Sequence, residues 1–216
     1  MRVLADGMEA GTSRTNALTI AAGASLDLTN NDLVIDYQSS SPLAAIQAVL
    51  TDGRLFSSSA IPGVTGLGYG ENSDLGYNTF SGQPVDSTSL LVAYTYFGDT
   101  NLDGMVDVDD FDDFLSGFAP ALLPPQWVNG DFDYSGAINL TDFELCLNGY
   151  YALGGSVNAI SDAVTNAGLP PETEAAMLAL VNTVPEPVGV ALIGLVGLLA
   201  IRRRRNWAPI NTDKRG

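Results

Sequence analysis

The chain has 216 residues, with 25 Asp or Glu against nine Lys or Arg, no histidine, one cysteine and a formal net charge of −16. Without histidine it can form neither a Ser-His-Asp triad nor a histidine-bearing zinc site. The single cysteine, Cys146, excludes an internal disulfide and is interpreted as a buried core residue. Nucleic-acid binding needs a basic surface, so we expect no nucleic-acid partner. A small cation, above all calcium, suits such an acidic chain better.

The first segment, residues 1–14, carries no predicted element. It lacks the hydrophobic core of a secretory signal peptide.

Residues 15–97 are predicted to be β-rich. Short alternating segments at 18–20, 25–28 and 33–37 are separated by Gly and Asn turns, and a further strand is predicted at 87–97. Their spacing predicts the end of a right-handed parallel β-helix or the edges of a sandwich. The region resembles the ends of autotransporter-like passenger repeats.

One helix is predicted inside this β-rich region. Ser41 and Pro42 supply a cap and a proline at the first helical position, and Gly53 ends the helix. The apolar residues that follow at helical spacing are Leu43, Ile46, Val49 and Leu50.

A segment that begins at Gly98 recurs 32 residues later, beginning at Gly130. Numbered as a twelve-residue calcium loop, each copy has oxygen-bearing side chains at positions 1, 3, 5, 9 and 12, glycine at position 6 and a backbone carbonyl ligand at position 7. In the first loop these are Asp99, Asn101, Asp103, Asp107 and Asp110, with Gly104 and Met105. In the second they are Asp131, Asp133, Ser135, Asn139 and Asp142, with Gly136 and Ala137. The spacing predicts two calcium ions, with tighter binding in the first loop because it carries more carboxylates.

Each loop is followed by the same helical face. The first copy has Phe111, Phe114, Leu115 and Phe118, and the second has Phe143, Cys146, Leu147 and Tyr150. Gly117 and Gly149 also correspond, and Val106 and Ile138 at position 8 are predicted to pair the loops through a short β contact. We interpret residues 98–151 as one tandem calcium-loop module because ligands, turn glycine and apolar face agree at one offset.

The tandem resembles the dockerin module, which consists of two half EF-hands, each a calcium loop with its exiting helix. As in dockerins, position 12 is Asp, at Asp110 and Asp142, where a full EF-hand has Glu. Dockerins of cellulase assemblies bind a cohesin domain through a Ser/Thr pair at positions 10 and 11. This chain has Val108-Asp109 and Leu140-Thr141 there. A calcium-stabilised module that closes a surface protein, without a cohesin partner, is therefore an open alternative.

Residues 152–183 are predicted to form a helical spacer. Apolar residues at helical spacing indicate one helix over 157–167, which stops near Gly168, and a second over 172–181. Neither helix carries a pattern that points to a function.

The C-terminal residues 184–205 combine three features in order. A Pro-Glu-Pro signature precedes the uncharged segment 188–201, and four arginines follow it. As a helix that segment would be about 21 Å long, shorter than the ~30 Å hydrocarbon core, so it predicts a short, marginal transmembrane helix. The arginines place residues 206–216, a basic tail, in the cytoplasm. The signature residues are Pro185, Glu186, Pro187, Arg202, Arg203, Arg204 and Arg205.

These three features resemble the PEP-CTERM sorting signal of envelope-forming bacteria. In that family a membrane-embedded processing enzyme, exosortase, is thought to recognise the tail. The resemblance implies an exported protein of the cell envelope or the extracellular space whose C-terminus lies transiently in the inner membrane. It implies the membrane, through 188–201, and an exosortase-like enzyme as partners. Because an exported protein needs an export signal, which residues 1–14 do not supply, we expect the chain to be the C-terminal part of a longer product or the gene to start earlier.

We therefore predict a mixed fold class: a β-rich N-terminal region, a small α dockerin-like calcium module and a short C-terminal transmembrane helix. The predicted function is that of a non-enzymatic C-terminal region of an exported envelope protein, stabilised by calcium and sorted through its tail. Two alternatives remain open. The chain could end a polysaccharide-degrading enzyme, since glycosidases need only two carboxylates, or it could be a dockerin-type scaffold that binds a protein or polysaccharide partner.

Overall fold

A computed structural model describes residues 1–118 and 123–183 of the chain. The strands within this part are β1 (Ser13–Thr15), β2 (Leu26–Asp27), β3 (Leu33–Asp36), β4 (Leu55–Phe56), β5 (Thr65–Glu71), β6 (Thr79–Phe80), β7 (Gln83–Pro84) and β8 (Ser89–Tyr96). The α-helices are α1 (Leu43–Thr51), α2 (Asn72–Leu75), α3 (Val108–Phe118), α4 (Leu140–Ala152), α5 (Val157–Asn166) and α6 (Pro171–Thr183). A 3-10 turn, Trp127–Asn129, lies between the two loops.

The largest sheet has four strands in the order β1-β3-β8-β5. Strand β3 is parallel to β1 and antiparallel to β8, and β8 is antiparallel to β5. Both β5 and β8 are buried along their whole length. Strand β8 is a nearly continuous apolar run because both faces of the sheet are covered. The other strands form two small two-stranded sheets, β2-β4 and β6-β7.

The predicted end of a parallel β-helix or sandwich is wrong. The described residues form a mixed α/β fold with six helices and several small sheets. Among the strands of the described residues, only β1 with β3 and the short pair β2 with β4 are parallel, apart from one isolated parallel bridge between Arg2 and Asp27, and β8 lies antiparallel to β3. Alternating apolar residues indicate a strand but not the direction of its partner, so the pattern could not reveal this topology.

The transmembrane part of the predicted fold class gains no support from the structure. Segment 188–201 lies outside the described residues, as do the other sorting-signal residues and the tail 206–216. Among the helices of residues 1–118 and 123–183, none is both long enough and apolar enough to cross a membrane.

Several predicted elements are confirmed. Strands β2, β3 and β8 fall within the predicted segments, whereas residues 18–20 form no strand. Helix α1 buries Ile46, Val49 and Leu50, the apolar face predicted for it. The helices expected after each loop are α3 and α4, and the two helices of the spacer are α5 and α6.

The glycine face of β5, formed by Gly66, Gly68 and Gly70, positions the loop region. Alternate residues of a strand share one face, so these three glycines present bare backbone on the same side. A Cβ atom on Gly68 would lie 2.6 Å from Leu102 Cδ2, and one on Gly70 would lie 2.5 Å from Val128 Cγ1. The first loop and the connection between the loops therefore pack directly on the sheet at distances that only glycine allows.

Trp127 anchors the connection between the two loops to this face. Its side chain is fully buried, and its Nε1 donates a hydrogen bond of 2.7 Å to the backbone carbonyl of Asp99. Its ring packs 5.6 Å from that of Phe97 and 5.1 Å from that of Phe132. The connection thus joins the first residue of one loop to the second residue of the other.

Candidate metal centre

The aspartates at loop position 1 accept the same pair of backbone hydrogen bonds in both loops. Asp99 Oδ1 accepts a hydrogen bond of 2.9 Å from the Asp103 N–H, and its Oδ2 accepts one of 2.7 Å from the Gly104 N–H. The hydroxyl of Thr95, at the end of β8, also donates to Asp99 Oδ2. Asp131 accepts the equivalent two bonds, each 3.0 Å long, from positions 5 and 6 of its own loop.

The side chains at position 12 close each loop from the first turn of the exit helix. Asp110 accepts hydrogen bonds of 2.9 Å from the N–H groups of Thr100 and Asp107. Asp142 accepts bonds of the same length from positions 2 and 9 of the second loop. All four carboxylates at positions 1 and 12 belong to residues with 0% exposure. Each loop is therefore wrapped around two buried acids.

The backbone repeats as closely as the side chains do. The glycines at position 6, Gly104 and Gly136, have φ of 82° and 81°. Leu102 and Tyr134 at position 4 both have φ of 60°, a left-handed conformation that side chains with a Cβ rarely adopt. The sequence predicted the glycine at position 6. It did not predict the left-handed backbone at position 4, because leucine and tyrosine are not residue types typical of that conformation.

In the second loop three predicted ligands converge. One carboxylate oxygen from each of Asp131, Asp133 and Asp142 lies within 4.8 Å of the other two, which is close enough to hold a metal ion. Asp131 and Asp142 are buried and Asp133 is exposed, so the group opens to solvent on one side.

The remaining predicted ligands of the second loop hydrogen-bond to each other. The Ser135 hydroxyl and the Asn139 Nδ2 donate to the Ala137 carbonyl, over 3.2 and 3.3 Å. Asn139 Oδ1 accepts from the Thr141 N–H and caps helix α4. These three oxygen-bearing groups therefore lie together on the open side of the loop.

In the first loop the side chains of predicted ligands accept hydrogen bonds from the backbone of the loop itself, and they do not converge on one point. Asn101 Oδ1 accepts from the Asp103 N–H, and Asp103 Oδ1 accepts from the Met105 N–H, both at 2.8 Å. Asp107 Oδ1 accepts from the Asp109 N–H at 2.9 Å. Within the described ranges, the acidic side chains of this loop do not form a three-membered group as close as that in the second loop.

Each exit helix packs on the entrance of the other loop. A Cβ atom on Gly117 of α3 would lie 1.9 Å from the Asn129 carbonyl oxygen, just before the second loop. A Cβ atom on Gly149 of α4 would lie 1.9 Å from the Phe97 carbonyl oxygen, just before the first loop. The two halves are thus interlocked through their helices.

The β contact predicted between the loops does not form. Among the described residues no β-bridge links Val106 with Ile138. Val106 instead packs beside Cys146 of α4 against Gly98, at the entrance of its own loop. Cys146 is buried, as predicted, and burial raises the pKa of its thiol.

Burial also sets the electrostatics of the loops. It raises the pKa of Asp110 to about 7 and that of Asp131 to about 6, and it raises the pKa of Asp142. The sequence contains no Lys or Arg between Arg54 and Arg202. The three earlier arginines pair with Asp27, Asp36 and Asp52 in the N-terminal part. A proton or a metal ion is therefore the natural counter-charge for the loop carboxylates.

No family model, no characterised protein and no solved structure matches this chain. We therefore infer the function from the geometry of the loops.

Substitution of Gly117 by Ala should destabilise the protein even though alanine favours helices. The added Cβ meets a backbone carbonyl at 1.9 Å, which only a shift of α3 can relieve. We expect a loss of at least about 2 kcal/mol in the free energy of unfolding, typical of an overpacked core. The neighbouring exposed Ser116→Ala variant is the control and should change it by less than about 0.5 kcal/mol. Equal stability of the two variants in denaturant unfolding would contradict the interlocked packing.

Without metal, stability should fall as the pH rises. The folded-state pKa of Asp110, about 7, and that of Asp131, about 6, lie above the usual value of 3.8. Across this interval the folded state binds more protons than the unfolded state, so the free energy of unfolding decreases with increasing pH. Calcium needs deprotonated ligands, so its affinity should increase over the same range.

Denaturant unfolding in chelator at about pH 5 and about pH 8 measures this dependence. The Asp110→Asn variant, which cannot titrate at that position, should show a flatter profile. Higher stability in chelator at the upper pH would contradict the assignment.

Proposed function

We propose that the two loops bind one calcium ion each and that these ions stabilise the fold. The observation that carries the proposal is the repeated burial of four acids, at positions 1 and 12 of two loops with the same backbone. A buried carboxylate is costly unless a cation or enough hydrogen bonds compensate it. The convergence of Asp131, Asp133 and Asp142 adds a place where a metal ion fits.

The donor atoms favour calcium over other metals. Carboxylate, amide and carbonyl oxygens are the predicted ligands in both loops, joined in the second by the Ser135 hydroxyl. Calcium takes about six to eight oxygen ligands in flexible geometry. Zinc and copper sites use histidine or cysteine, but the chain has no histidine. Its one thiol is buried in the core.

Calorimetry on the full chain should give two calcium ions per chain. Asp131→Asn and Asp99→Asn should each lower this to one, because each replaces a buried carboxylate at position 1 by a neutral amide. The site that Asp99→Asn removes should be the tighter of the two in the wild-type chain, so this variant should lose more calcium affinity, since the first loop has more carboxylates. The control is Asp162→Asn on α5, an exposed acid outside the loops, which should leave binding unchanged. Equal weakening by all three variants would reduce the proposal to nonspecific attraction by an acidic surface.

We further propose that the chain is a non-catalytic part of an exported cell-envelope protein. Support comes from the order of the Pro-Glu-Pro signature, the uncharged segment and the four arginines in the sequence. The acidic loops fit this location, because extracellular calcium modules work at about 10⁻⁴–10⁻³ M calcium. The partner of the tail would be an exosortase-like processing enzyme.

Replacement of Pro185 and Pro187 by alanine should leave the protein exported but unprocessed. The two prolines bias the backbone toward an extended form, which suits recognition by a processing enzyme. The control replaces Pro170 and Pro171, the nearest other closely spaced prolines. The chain is expressed behind an export signal in a host with the processing enzyme, and the product sizes are compared. A product whose size is the same with and without the motif would refute processing at the tail.

A further inference from the structure

Tyr134 connects the second loop to the edge of the main sheet. It occupies loop position 4, between the predicted ligands Asp133 and Ser135. Its hydroxyl donates to the Leu67 carbonyl over 2.9 Å and accepts from the Leu67 N–H over 3.2 Å. One phenol thus satisfies both main-chain groups of a single residue of β5.

Strand β5 lies at one end of the four-stranded sheet, next to β8. In an antiparallel pair, alternate residues direct their N–H and C=O groups away from the partner strand. Such groups on an edge strand are a template for pairing with another chain unless they are covered. Leu67 lies opposite Tyr94 of β8, and Tyr134 covers its main-chain groups.

The position of Tyr134 depends on how the second loop is wound. Its backbone has φ of 60°, and its carbonyl accepts a hydrogen bond of 3.2 Å from the Thr51 hydroxyl of α1. Its ring stacks 5.9 Å from Trp127 and 6.4 Å from Tyr69. The ring and hydroxyl therefore reach β5 only while the loop holds this turn.

We infer that metal binding in the second loop controls the cover on the β5 edge, an inference that rests on the proposed calcium function. A cation among Asp131, Asp133 and Asp142 fixes the residues on both sides of Tyr134. Without it, the carboxylate oxygens that lie within 4.8 Å of one another have no cation between them, and their mutual repulsion loosens the turn. The hydroxyl then leaves Leu67, and the main-chain groups of this edge residue become open to solvent and to another strand.

Hydrogen exchange of the Leu67 amide in the full chain tests the inference. In calcium, Tyr134→Phe keeps the ring and every predicted ligand but removes the hydroxyl. The Leu67 amide should then exchange roughly two- to tenfold faster, the factor that one net hydrogen bond provides. In chelator the wild-type amide should exchange at least as fast as the variant does in calcium.

Tyr150→Phe is the matched control. The Tyr150 hydroxyl makes the same pair of contacts with one residue, accepting from the Ser156 N–H at 3.1 Å and donating to its carbonyl at 3.4 Å. It lies on α4, outside both the second loop and β5. This variant should leave the exchange of Leu67 unchanged.

Two results would overturn the inference. Unchanged Leu67 exchange in Tyr134→Phe would show that the hydroxyl does not protect the edge. Leu67 exchange that is insensitive to chelator, in a protein that calorimetry shows to bind calcium, would show that the loop does not control it. If calorimetry detects no calcium binding, the proposed function and the metal control fail together, and Tyr134→Phe still decides whether the edge is covered.

Discussion

The burial of four aspartates in the two loops is the constraint on which the rest of the structure depends. Each carboxylate at positions 1 and 12 draws backbone N–H groups toward itself, and these bonds impose the left-handed residues at positions 4 and 6. Hydrogen bonds alone leave the charge in place, and an uncompensated buried ion costs several kcal/mol or more. The loops therefore need either protonation or a cation, and their oxygen donors favour a divalent one.

The sheet and the loops share this dependence because they are in direct contact. Strand β8 continues into the first loop, and the glycine face of β5 admits Leu102, Val128 and the ring of Trp127 to its backbone. A ligand that binds only the folded form adds about 2.7 kcal/mol of stability when its concentration is 100 times its Kd. Since the described residues of the loops pack directly on the sheet, that free energy would stabilise the sheet as well as the loops.

The sequence predicted the parts of the site that are encoded locally and missed those fixed by distant contacts. The repeated ligands, the turn glycines and the helical faces lie in short windows at a common offset, so α3, α4 and both turns could be inferred. Strand β5 was missed because glycine weakens strands. The glycines at alternate positions of this strand make room for Leu102 and Trp127, which are far away in the chain. The match between Gly117 and Gly149 was visible, but its cause is a carbonyl of the opposite half.

The two copies of the repeat depend on each other for their packing. Each helix closes the entrance of the other copy, so a single copy would lack one wall of its own loop. A chain reduced to one repeat could regain that wall only by meeting a second molecule. The paired form is therefore the smallest unit in which both loop entrances are closed, and loss of either copy would leave the entrance of the other open.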